Sequence, residues 1–213
     1  MGAFRKRKEE NDRSVYILLT DTGTLFTKTV KRYTRVPYNH TSLSFDIKFE
    51  ELYSFGRKNP KNPLKAGFVK EDIYQGTYSH FRDTRCVLFK LDVSEQQLAE
   101  MRRTVLAFQL RHKIYSYNLI GLLGVMIQHP IEMENAYFCS QFVAEVLNRA
   151  GLDLWNKSSA LVTPGDFLEH ASFQKIYEGK LYDYPLLEAN LLVADGSRNR
   201  KRKLLVFSRK EIS

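Results

Sequence analysis

Apolar and polar positions follow two periods along the chain, and the change from one to the other marks the elements. Ser14–Thr20 (SVYILLT) is a continuous apolar and β-branched run stopped by Asp21-Thr22-Gly23, which predicts a buried strand. His40–Ile47 (HTSLSFDI) alternates. Leu43, Phe45 and Ile47 face one side and His40, Ser42, Ser44 and Asp46 the other, as a half-buried strand requires. Glu51–Phe55, Cys86–Leu91, Lys175–Tyr177 and Leu204–Phe207 read as further strands. Residues 24–33 read as a short helix, and Gly56–Tyr78, rich in Gly, Pro, Asn and Lys, as a long surface loop.

The helical period is clearest behind Ser94, which forms a capping box with Gln97; Leu98, Met101, Val105 and Phe108 then recur along one buried stripe. Tyr115–Ile127 reads as a buried helix with loop character at Gly121 and Gly124. A second amphipathic helix begins around Asn135–Phe138 and runs to Ala150, with Gly151 ending it and Phe142, Val143, Val146 and Leu147 as its apolar face. Thr163-Pro164-Gly165-Asp166 carries a cap residue, a first-turn proline and an acid, so a short helix follows. The elements add up to one α+β domain over 14–213 behind a polar N-terminal extension, 1–13.

At 213 residues and 43% hydrophobic, the chain can build a core without disulfides, and it is not a wholly disordered chain. No signal peptide is read at the start, and the apolar run Leu119–Ile127 is about half a bilayer span, so the chain is expected to be cytoplasmic. The net charge of +9 is mainly C-terminal: residues 198–213 hold +6, residues 1–13 hold +2, and the rest +1. No specific nucleic-acid partner is expected. The run 198–203 (RNRKRK) provides for weak attraction to an anionic membrane surface, which makes a peripheral location the alternative.

Two cysteines and five histidines carry the candidate chemistry. Cys139 falls in the first turn of its predicted helix, where free N–H groups and the helix dipole favour a thiolate, whereas Cys86 sits among apolar strand neighbours. His40 opens the polar face of its strand and is the base of choice for Cys139. His112 reads as a partner of its helix's last carbonyls. His80 and Asp83 lack a third metal ligand, so neither metal nor cofactor is expected.

The order of strand-borne His40 and helix-initial Cys139 in YFCSQFVAEVL, with the histidine set in SVYILLTDTGTLFTKTVKRYTRVPYNHTSLSFD and with YSYNLIGLLG between the two, resembles the circularly permuted NlpC/P60 branch of the papain-like cysteine hydrolases (its YiiX-like and LRAT-like members). The resemblance spans about residues 14–170. It implies a small antiparallel sheet or partial barrel packed against helices, and acyl transfer through a thioester on Cys139 with His40 as base. It places the residue that orients the histidine on the next strand, near Ser54, a weaker orienter than a carboxylate. Tyr38 falls where the oxyanion region would be lined, while Arg57 and Lys58 are candidates to hold an anionic group. Three readings stay open: a cysteine hydrolase of an amide or ester in a small-molecule, peptide or lipid acyl substrate; a lipid acyltransferase or deacylase at a membrane surface; and an inactive papain-like binding module.

Overall fold

The computed structural model describes residues 13–22, 36–58, 66–118, 129, 133–188 and 191. Within them the strands are Ser14–Asp21 (β1), His40–Ser44 (β2), Leu52–Arg57 (β3), Ala66–Glu71 (β4), Arg85–Asp92 (β5), Ser116–Tyr117 (β6), Ala136–Tyr137 (β7) and Gln174–Lys180 (β8). The helices are Glu95–Leu110 (α1), Cys139–Arg149 (α2) and Pro164–Glu169 (α3). Six strands form one antiparallel sheet in the order β4-β3-β2-β1-β5-β8, while β6 and β7 make a short parallel pair. The protein is therefore α+β.

Both faces of the sheet are covered, which is why β1 reads as an unbroken apolar run: Leu18 and Leu19 are both fully buried, on opposite faces. On one face Val15, Ile17, Leu19, Leu43, Phe55, Phe68 and Val87 meet Met101, Val105 and Phe108 of α1 and Phe142, Val143 and Val146 of α2. On the other face Leu18, Leu52, Cys86 and Leu88 are covered by Ile73, Tyr78, Leu181, Tyr184 and Leu187. Phe55, Phe68, Phe108 and Phe142 interlock with ring centroids 5.2–6.1 Å apart. Each such pair adds about 0.5–1.5 kcal/mol to the burial of the rings, and together they fix α2 against β3 and β4.

The capping boxes at Ser94/Gln97 and Thr163/Asp166 form as the residue types require. Helix α2 starts at Cys139, not at 135–138, and Gly151 follows its end with φ +78°, the left-handed conformation glycine tolerates. Strand β2 stops at Ser44, short of Ile47. Asp46 accepts the backbone N–H groups of Lys48, Glu50 and Glu51, and this turn carries Ile47 away from Leu43 and Phe45 to the other core. The stretch 56–78 is not all loop either. β3 extends through Arg57, and β4 pairs with it from Leu52↔Glu71 to Arg57↔Ala66. Extended β6 replaces the start of the helix expected over 115–127. The expected helix at 24–33, the whole 119–127 run, the basic run 198–203 and the strand at 204–207 lie outside the described residues. Among the described residues no helix is long and apolar enough to cross a membrane.

Candidate active site

β2 and α2 meet where each begins. The β2–β3 ladder pairs Leu43 with Tyr53 and Ser44 with Leu52. Farther toward the start of β2, the backbone N–H of Thr41 bonds the sulfur of Cys139, as does the N–H of Ser140. The N-cap position is Phe138, which has no side-chain acceptor, so the first-turn donors of α2 are not consumed by a cap. Ser140 Oγ donates to the Val162 carbonyl at 2.7 Å and ties this turn to the segment behind it.

His40 is the other half. Its ring hydrogen-bonds the Cys139 thiol, and its Nε2 lies 2.7 Å from Glu71 Oε1, leaving Nδ1 as the nitrogen for sulfur. Ser54 Oγ donates to the same Oε1 at 2.6 Å, while Ser42 Oγ at 2.9 Å and the Tyr78 hydroxyl at 3.1 Å donate to Oε2. A carboxylate has about four lone-pair positions, so His40, Ser42, Ser54 and Tyr78 saturate Glu71 as an anion. Gly56 makes room for this packing: a Cβ there would stand 3.1 Å from Ser54 Oγ, 3.3 Å from His40 Cε1 and 3.4 Å from Glu71 Oε1.

The electrostatics follow from that placement. Burial opposes the charged form of His40, but the Glu71 carboxylate and the bonds to Cys139 and Glu71 overcome it and raise the imidazole to about 10. Burial also opposes the Cys139 thiolate, and the hydrogen bond and charge of His40, with the two backbone N–H groups, bring its pKa below that of an ordinary thiol. For Glu71, burial is outweighed by His40, Ser54 and Ser42, so its carboxyl titrates lower than usual. The shifts favour the thiolate–imidazolium form of the pair, beside a carboxylate.

The remaining candidates fall elsewhere. Ser54 joins the cluster but bonds the carboxylate, and the group on the imidazole's second nitrogen is Glu71, one strand beyond the expected place. Tyr38 donates its hydroxyl to Glu178 on β8 and is buried with the helix-side core, so no oxyanion role is seen for it. Lys58 Nζ approaches the His112 carbonyl at 3.4 Å; the side chain of Arg57 lies outside the description. Asn39 bonds Asp21, Ser44 bonds the Asp46 carbonyl, and His112 Nδ1 bonds the Gln109 carbonyl at its helix end. Cys86 is buried in β5, where burial and then Glu178 push its thiol up to about 12. His80 contacts Ser79 and Asp83 pairs with Lys180; among the described residues no cluster of ligating side chains suits a metal ion.

Glu71 and Tyr78 were missed because 56–78 reads by composition as a loop. The signal for Glu71 was present in AGFVKE, where Val69 and Glu71 share one face of a short strand and Phe68 the other. No protein-family model matches the chain, and no curated protein is similar enough to match it.

Proposed function

We propose that the protein is a cysteine hydrolase of amide or ester bonds, with a permuted papain-like arrangement in which Cys139 is the nucleophile, His40 the proton carrier and Glu71 the group that orients His40. The observation that carries this reading is the chain of contacts from a first-turn thiol to an imidazole to a saturated carboxylate. The Cys139 thiolate attacks the substrate carbonyl carbon, forming a carbon–sulfur bond and placing negative charge on the oxygen near the first-turn N–H groups of α2. The His40 imidazolium gives its Nδ1 proton to the departing amine or alkoxide, leaving a thioester. Neutral His40 then takes a proton from water, whose oxygen attacks the thioester. The carbon–sulfur bond breaks, and carboxylic acid and thiolate are released. Glu71 holds Nε2 throughout and stabilises the imidazolium formed in each cycle.

The inactive-module reading rests on a missing orienter, and Glu71 occupies that role. Transfer to an acceptor other than water uses the same first half-reaction. Intact-protein mass spectrometry across amide, ester and thioester donors tests the proposal, with an acyl adduct expected on Cys139. Cys139→Ala should form none and lose turnover while melting within a few degrees of the wild type, since alanine is a good helix former. Undiminished turnover in a folded Cys139→Ala protein rejects the mechanism.

A further inference from the structure

Tyr78 is buried in a short 3₁₀ turn, Thr77–His80, that covers the sheet face opposite the helices. A phenol in such a place needs partners, and it meets Glu71 Oε2 at 3.1 Å and Thr20 Oγ1 at 3.2 Å. Thr20 lies directly across the ladder from His40, so the Thr20–Tyr78–Glu71–His40 chain begins and ends on adjacent strands. Nothing in the proposed proton transfers uses the phenol. Its geometry constrains the carboxylate instead: Tyr78 and Ser42 hold Oε2 while His40 and Ser54 meet Oε1, so the phenol helps to set the rotation that presents Oε1 to the imidazole.

We propose that Tyr78, braced by Thr20, is a positioning residue that locks Glu71 in the rotation keeping Oε1 on His40 Nε2. The proposal rests on the cysteine-hydrolase reading of the same site. The ionisable groups facing one another are Tyr78 from the turn, Glu71 from β4, His40 from β2 and Cys139 from α2. Without the phenol donor Oε2 keeps Ser42 alone of its two holders, and the carboxylate is held less firmly against the ring. The imidazolium then loses part of its counter-charge, and the thiolate it supports becomes less favoured.

The experiment is peptide-resolved iodoacetamide alkylation of Cys139 against pH, in wild type, Tyr78→Phe and Thr20→Val. Tyr78→Phe keeps the ring and removes only the hydroxyl, and the midpoint of its alkylation profile should rise by about half a pH unit or more, or threefold less thiolate below the midpoint. Thr20→Val, which leaves the phenol on Glu71 without its brace, should move the midpoint the same way by less. Since it spares the phenol ring, it also serves where Tyr78→Phe does not fold. A folded Tyr78→Phe protein whose midpoint is unchanged or lower overturns the positioning role, and if that variant does not fold, an unchanged or lower midpoint in Thr20→Val does so. Failure of the hydrolase reading looks different: wild-type Cys139 would itself titrate like a free thiol, near pH 8.5.

Discussion

Replacing Glu71 by Gln keeps the shape of the side chain and removes its charge. In the folded protein the Glu71 carboxylate is the largest influence raising His40, and His40 is in turn the largest influence lowering Cys139. Glu71→Gln should therefore lower the imidazole value and raise the thiol value, narrowing the thiolate–imidazolium range from both sides. The acid limb of turnover, which follows thiol ionisation, should move up in pH, and the alkaline limb, which wild type should show near 10, should move down. The amide also brings an NH₂ where His40, Ser42, Ser54 and Tyr78 all present donors, so about 1–3 kcal/mol of stability should go with it. A turnover profile with both limbs in place would remove Glu71 from the mechanism.

Among the elements, α2 is the one whose placement decides the proposed chemistry. Its apolar face, Phe142, Val143, Val146 and Leu147, was legible because a period of 3.6 survives any tertiary context. The convergence of His40 and Cys139 was legible only through a resemblance in the order of the two residues, since sequence spacing does not bring residue 40 to residue 139. The turn after Ser44 was not legible: Asp46 sits in phase with His40 and Ser42, and only its capture of three N–H groups takes it out of the strand. Strand β4 was hidden for a related reason, being six residues long between a Pro- and Lys-rich stretch and an Asp72 turn. A polar tether of α2 is Ser140, fully inside the protein and bonded to the Val162 carbonyl. Ser140→Ala would leave that buried carbonyl without this donor, at about 1–3 kcal/mol. Because Ser140 also gives its own N–H to the sulfur, loosening the turn should lower Cys139 alkylation at neutral pH. Thermal unfolding and alkylation rate measured together test this. A variant that loses stability while Cys139 reacts at the wild-type rate would separate the tether from the site.

For the whole molecule, the three linked groups act on stability in opposite directions, and the balance is measurable. Glu71 titrates lower folded than unfolded, so its contribution is present above the ordinary carboxylate range and is lost as pH falls through its folded value. His40 is raised from its ordinary 6.5 to about 10, so its contribution is complete below 6.5 and lost as pH rises toward 10. Cys139 is lowered, so its contribution grows as pH rises above its folded value and is complete at the ordinary thiol value. Over the pH range that lies above the folded Cys139 value and above about 7 but below about 8.5, the folded protein thus keeps one proton on His40 that the unfolded chain has lost, and lacks one on Cys139 that the unfolded chain retains. The two slopes cancel, and wild-type stability should be nearly flat across that range. Cys139→Ala removes one side of the balance. Glu71 still holds His40 as imidazolium, so the variant's stability should fall with rising pH, by at most about 1.4 kcal/mol per unit, until the imidazole deprotonates. Denaturant midpoints of both proteins from pH 5 to 10 measure the difference, and both should weaken below about pH 4.5, where Glu71 acts alike in each. Curves that stay parallel up to pH 8.5 would mean that Cys139 is not ionised in the folded protein below the ordinary thiol value and would count against the ion pair on which the proposed chemistry depends.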